Sequence, residues 1–155
     1  MDLMLQPVRK YADFNGRARR SEYWLFQLFI WGVIIGLYAI SAILSVLLIQ
    51  PAAVGPDATV RPDDPVVTAA AVASMAVFGV LVLFFLAMII PNLAVRIRRL
   101  HDIGVTGWLV LIALIPGVGW IVLLIMSMLD GSYGPNSYGP DPKGRGKSSV
   151  ADNFV

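Results

Sequence analysis

Three stretches of this sequence contain no Asp, Glu, Lys, Arg or His: Tyr23–Ile49, Val66–Val95 and Trp108–Leu129, of 27, 30 and 22 residues. A helix needs about 20 apolar residues to cross the roughly 30 Å hydrocarbon core of a bilayer, so each stretch is long enough. Only 14% of the 155 residues are charged, against about 25% in a soluble domain, and the deficit lies in these blocks. The pattern excludes an ordinary soluble enzyme and a disordered chain. It predicts an all-α integral membrane protein with three transmembrane helices, at 23–49, 66–95 and 108–129. The first stretch exceeds the 7–15-residue core of a cleaved signal peptide and reads as a signal anchor.

Orientation follows from the arginines and lysines near the ends of the spans. Residues 1–22 hold five and residues 96–107 hold three, whereas the loop 50–65 holds only Arg61. The N-terminal segment and the 96–107 loop are therefore predicted to be cytoplasmic, and 50–65 external, in a multi-pass membrane protein. The tail, 130–155, carries Lys143, Arg145 and Lys147, and three full spans would leave these outside. The third stretch bears on that conflict. Its two apolar arms flank Pro116-Gly117-Val118-Gly119, where proline removes a backbone donor and glycine loosens the helix. We read 108–129 as one spanning helix kinked at Pro116-Gly117. The alternative is a re-entrant hairpin, which returns the tail to the cytoplasm. Residues 3–14 are amphipathic, with Met4, Val8, Tyr11 and Ala12 on one face, and suit a short interfacial helix. The loop 50–65 is rich in Pro and Asp, and the tail in Gly and Pro; neither is expected to form regular structure.

Small residues let helices approach closely inside a bilayer. Gly32 and Gly36 stand at GxxxG spacing in the first span, and Ala69, Ala73 and Ala76 line the second. Packing between these two spans within one chain is expected, and a homo-oligomer through Gly32/Gly36 is the alternative. Pro91-Asn92 is expected to kink the second helix near its cytoplasmic end.

The reactive side chains concentrate at one membrane face. Arg17, Arg19, Arg20, Arg96, Arg98 and Arg99 meet only Asp13, Glu22 and Asp102. Antiparallel neighbouring helices bring the start of one to the depth of the end of the other. We therefore expect Arg17, Arg20, Glu22, Arg98, Arg99, His101 and Asp102 to form one polar cluster, joined by Asn136 and Asp141 where the tail folds back. Tyr23, Trp24 and Trp108 are placed as interfacial anchors. The plain role for such arginines is topology and internal salt bridges. The sharper one is recognition of anionic lipid headgroups, because guanidinium forks suit phosphate. Nothing in the sequence points to catalysis or a cofactor. There is no cysteine and one histidine, and His101 and Asp102 are adjacent, so they do not face each other on a helix. Nucleic-acid binding is not expected, since the arginines are tied to the ends of the spans. A small transporter or channel subunit is the alternative function, but the span interiors offer only Gln27, Ser41, Ser45, Thr68, Ser74 and Ser127, where a transporter normally places ionisable groups.

Three motifs, GRARRSEYW (16–24), RRLHDIGVTGW (98–108) and NSYGPDP (136–142), resemble in order and spacing the bacterial inner-membrane family known as domain of unknown function 805, the YhaH-like proteins. The resemblance covers roughly residues 11–142. It implies a small multi-span membrane protein and supplies no activity, cofactor or substrate. The positions that match its pattern are Gly16, Arg17, Arg20, Glu22, Tyr23, Trp24, Arg98, Arg99, Leu100, His101, Asp102, Gly104, Gly107, Trp108, Asn136, Gly139, Asp141 and Pro142. The sequence departs in its long proline-rich first loop and in Leu109, where a second tryptophan is frequent.

Overall fold

The computed structural model describes residues 2–53 and 64–145. The elements of the described residues are α1 (Asp2–Arg9), α2 (Arg20–Ala53), α3 (Pro65–Asp102), a 3₁₀ helix (Gly107–Leu114) and α4 (Val118–Met128). Among the described residues there is no strand, only an isolated bridge between Asn136 and Gly139. The expected external loop falls mostly at 54–63, outside the described residues.

Two helices, α2 and α3, are long and apolar enough to cross a membrane. A soluble core helix of similar composition would be covered by its own protein. Here only 6% and 0% of the residues in the two most apolar windows are buried. Both helices outrun the charge-free stretches. Arg20 and Glu22 belong to the first turn of α2, and Arg96, Arg98 and Arg99 to the last turns of α3 rather than to a loop. Pro65 opens α3 at a position where its missing N–H costs nothing.

The chain forms two compact units. In the first, Phe29–Met88, the two helical limbs run antiparallel. Phe29 meets Phe84 edge-on at 6.4 Å, and the Ser45 and Ser74 hydroxyls lie 3.3 Å apart. Each serine is also tied to a carbonyl of its own helix, at Ser41 and Ala70. The glycines do not make this contact. No other part of the described chain comes within 4 Å of where a Cβ would sit on Gly32 or Gly36. Intrachain packing through Gly32 and Gly36 is thus corrected. On α3, Ala70 is the buried small residue, while Ala69 and Ala76 are exposed.

The second unit joins the described residues before Phe29 to those after Met88. The helix α1 stops at Arg9, short of the expected 3–14, because the chain turns there. The Asp13 N–H bonds to the Lys10 carbonyl and the Asp13 carboxylate accepts the Asn15 N–H. Pro7 is buried, whereas Tyr11 and Ala12 are exposed.

The third apolar stretch is not one helix. Its 3₁₀ arm of 8 residues ends at Leu114, and α4 of 11 residues starts at Val118. Between them Gly117 takes φ +77°, and the Val118 N–H reaches back to the Pro116 carbonyl at 2.9 Å. The arms then fold tightly against each other: a Cβ on Gly119 would collide with the backbone of Ile112. In a straight helix those residues would stand about 10 Å apart. Proline withdraws the N–H that a continuing helix would use, and glycine accepts the positive φ of the reversal. Each arm is about 16 Å long, half a hydrocarbon core. Trp108, Leu111, Leu114, Val118, Trp120 and Ile125 are left exposed.

Candidate functional site

The end of α3 organises the site, and its sequence explains why it ends where it does. Gly104 adopts φ +81°. The Gly104 N–H bonds to the His101 carbonyl, and the Val105 N–H to the Leu100 carbonyl. This is a Schellman cap with glycine at its left-handed position. It stops the helix just after Asp102, whose side chain turns inward and is buried.

Asp102 holds two arginines. Its Oδ1 accepts from Arg17 Nε at 2.9 Å, and its Oδ2 accepts from Arg99. The side chains of Arg17, Arg99 and Asp102 are 1%, 2% and 3% exposed, so this is an interior triad with a net positive charge. Beside it, Arg98 lies 3.0 Å from Glu22, again fully enclosed. None of the guanidinium nitrogens of Arg98 has a hydrogen-bond partner among the described residues. The attraction to Glu22 is therefore ionic without an aligned N–H···O. The segment before α2 is tied in by the backbone, through the Ala18 N–H to the Arg98 carbonyl at 3.0 Å. One turn further in, Asn92 Oδ1 accepts from both Gln27 and Arg96.

Backbone carbonyls absorb the donors that carboxylates leave over. Arg99 donates to the carbonyls of Ser127 and Leu129, and Arg20 Nε reaches the Leu129 carbonyl at 2.7 Å. Two cations thus satisfy carbonyls that α4 leaves open at its C-terminal end, where the helix dipole also favours positive charge. Arg17 donates to the Gly134 and Ser132 carbonyls, both at 2.6 Å. The tail is drawn in further by the Ser132 N–H and hydroxyl, both on the Asp102 carbonyl. Asn136 bonds the His101 carbonyl at 2.9 Å. The His101 ring stacks on Tyr138 at 4.0 Å, with Nδ1 3.3 Å from the Gly16 carbonyl. A Cβ on Gly131 would fall on the Asp102 carboxylate, so only glycine lets the chain pass.

The structure therefore gathers Arg17, Glu22, Arg98, Arg99 and Asp102 in one polar core, with His101 and Asn136 at its edge. Arg20 lies at the rim, half-exposed, and pairs with Asp130 at 3.1 Å. Asp141 is engaged elsewhere. It pairs with Arg145 at 2.8 Å, and that bond, aided by the Lys143 N–H, holds its carboxyl down at about 2. Tyr23 is buried and meets Trp24 edge-on, while Trp108 is openly exposed. Sequence reasoning missed Ser127, Leu129, Ser132 and Gly134, because a carbonyl acceptor leaves no mark in residue identity. It also missed Tyr138, whose place beside Asn136 in the third motif was the available signal. Among the described residues no three His, Asp or Glu side chains gather as a metal-ligand set.

Residues 11–140 match the family described as Protein of unknown function (DUF805). The chain is 34% identical over 145 residues to the inner membrane protein YhaH of Escherichia coli K12, covering 92% of this chain and 98% of that protein. It is 33% identical over 143 residues to the inner membrane protein YhaI of the same organism, covering 92% and 97%. The chain belongs to the DUF805 family. No solved structure matches it. An inner-membrane location follows from these relatives together with the two bare apolar helices.

The three motifs that carry the family resemblance meet in the polar core of this DUF805 chain. The first supplies Arg17 and Glu22, the second Arg98, Arg99, Asp102 and the Gly104 cap, and the third Asn136 and Tyr138. Their separation in sequence, up to 120 residues between Gly16 and Asn136, disappears in the fold.

Proposed function

We propose that this DUF805 protein is a non-enzymatic, multi-pass inner-membrane protein whose polar core sits at the cytoplasmic headgroup layer and binds anionic lipid there. One observation carries the reading: both ends of the third apolar stretch return to the polar core. Gly107 packs against Ile97 and His101, and Leu129 and Ser132 are bonded to Arg99 and Asp102. A segment that leaves and re-enters at one place, with arms half a bilayer long, reads as a re-entrant hairpin that follows the two spans in sequence. Its turn is apolar, and Gly119 packs against the backbone of Ile112. The tail then shares a face with the N-terminus. Of twelve basic residues only Arg61 falls between the two spans, so the positive-inside rule assigns the polar core to the cytoplasm.

Arg17, Arg98 and Arg99 are scaffold in this account, because buried pairing has consumed them. Lipid contact belongs to the exposed cations Lys10 and Arg19, with the partly exposed Arg20 and Arg96 at the rim. Each basic group near an anionic surface contributes about 1 kcal/mol. The test is the lipid inventory of gently purified protein. We expect enrichment of anionic phospholipid over the source membrane. A co-purified lipid composition equal to the bulk membrane would refute the lipid reading.

A further inference from the structure

A cleft of about 360 Å³ opens where α1, the start of α2 and the tail come together. Its walls include Leu3, Gln6, Lys10, Arg17, Arg19 and Glu22. Its volume lies in the range of about 300–1,000 Å³ that holds small ligands, and it is much larger than a bound ion requires. The charge on its walls is unbalanced. Lys10 and Arg19 are exposed, and neither side chain makes an ion pair or hydrogen bond with the described residues. Arg17 stands behind them and shares Asp102 with Arg99, so two buried guanidiniums have one carboxylate between them. Glu22 is the acid in the wall; Arg98 at 3.0 Å is its ion-pair partner, and the charge of Lys10 also acts on it. The cleft is thus a polar hollow with a surplus of positive charge, two exposed cations at the two ends of the α1–α2 connection, and an amide donor in Gln6. A buried positive charge without its counter-ion is costly, and an anion in this hollow would supply one.

We infer that this cleft binds a phosphate group, carried by a phospholipid headgroup or by a small phosphorylated solute. The inference rests on the lipid reading above and gives it one built site instead of a diffuse charged face. Lys10 and Arg19 grip the phosphate from two sides, since lysine supplies a point charge and arginine a planar fork. Gln6 donates to a remaining oxygen or to the ester group beyond it. The Arg17–Asp102–Arg99 triad adds positive potential from below without contributing a free donor. Leu3, half-exposed at the wall, offers apolar surface to the part of the ligand that is not phosphate.

The experiment uses the full chain in nanodiscs of mixed phosphatidylglycerol and phosphatidylcholine, released into native mass spectrometry. A parallel arm titrates detergent-purified protein with glycerol 3-phosphate and with inorganic phosphate. The test variant is Lys10→Gln/Arg19→Gln, and the control is Lys143→Gln, which removes an exposed charge that is not in the cleft wall. Matching thermal unfolding shows that both variants fold. We expect the parent to retain about one phosphatidylglycerol, and the test variant to lose that preference about 30-fold, while the control holds it within twofold. Retention in nanodiscs without solute binding identifies a headgroup; saturable glycerol 3-phosphate binding lost in the same variant identifies a solute. Equal losses in test and control variants, or an undiminished test variant, overturn the cleft and leave the lipid reading standing. A parent with no anionic preference and no phosphate binding overturns both.

Discussion

Replacing Asp102 with Asn removes one negative charge from between two enclosed guanidiniums and turns one of its two acceptor oxygens into an N–H donor that faces an arginine. Asparagine has the same shape, and the Asp102 backbone carbonyl keeps its bonds to Ser132. What is lost is the ionic partner of Arg17 at 2.9 Å and of Arg99. All three side chains are at most 3% exposed, so solvent cannot screen the result. Breaking a buried ion pair by removing one partner costs about 3–5 kcal/mol, because a charge is left without compensation. Here two charges are left, so the upper end of that range applies. The comparison is Asp130→Asn, which removes a carboxylate that also serves two cations, Arg20 and Lys143, but is 66% exposed. Unfolding by rising mole fraction of dodecyl sulfate in mixed micelles, followed by tryptophan fluorescence, measures both. The Asp102 variant should lose about 3–5 kcal/mol, and the Asp130 curve should overlay the parent. If Asp102→Asn unfolds with the parent, the triad is not the interior charge cluster described above and the argument from burial fails.

Gly131→Ala should destabilise by about 1–3 kcal/mol, as overpacking does, because the new methyl falls on the Asp102 carboxylate; a melting curve identical to the parent would contradict the close passage. Gly36→Leu should leave the melting temperature of the monomer unchanged, since open space surrounds that position; a loss of stability together with a smaller particle size would instead reveal an oligomer through Gly32/Gly36. Asp141 titrates lower in the folded chain, at about 2, than its ordinary value of 3.8. Its contribution to holding the tail is therefore complete above pH 4 and fades as pH falls from about 4 to 2. The carboxyl carbon shift of Asp141 should titrate with a midpoint near 2, and a midpoint near 3.8 would show that the Arg145 bond does not form.

The spans were legible because charge exclusion is a property of residue identity alone, and the chain from Tyr23 to Ile49 or from Val66 to Val95 has no other stable use for its side chains. The meeting of Arg17, Arg98, Arg99, Glu22 and Asp102 was legible from antiparallel neighbours of matched length. Two physical facts were hidden. Counting six arginines against three acids treats carboxylates as the only acceptors, but the carbonyls of Ser127, Leu129, Ser132 and Gly134 take up the difference. Those carbonyls become available only when the third stretch reverses at Pro116-Gly117. The sequence allowed both a kink and a reversal there, and the reversal depends on how closely Gly119 can approach Ile112. Gly32 and Gly36 show the opposite failure: a spacing that permits close packing says nothing about whether a partner is present. The cleft was invisible for a third reason, since it needs α1 to stop at Arg9 and bring Lys10 near Glu22.

The account stands on the return of the third stretch to the arginine-rich face. The sequence contains no cysteine, so single cysteines report cleanly. Ser137 is an exposed position in the tail, and Ala58 lies between the two spans. Each is replaced by cysteine and treated with a membrane-impermeant thiol reagent, in intact inner-membrane spheroplasts and after permeabilisation. The re-entrant hairpin predicts that Ala58→Cys labels in intact spheroplasts and Ser137→Cys only after permeabilisation. Labelling of both in intact spheroplasts would mean that 108–129 crosses the bilayer, and the shared cytoplasmic face would be wrong.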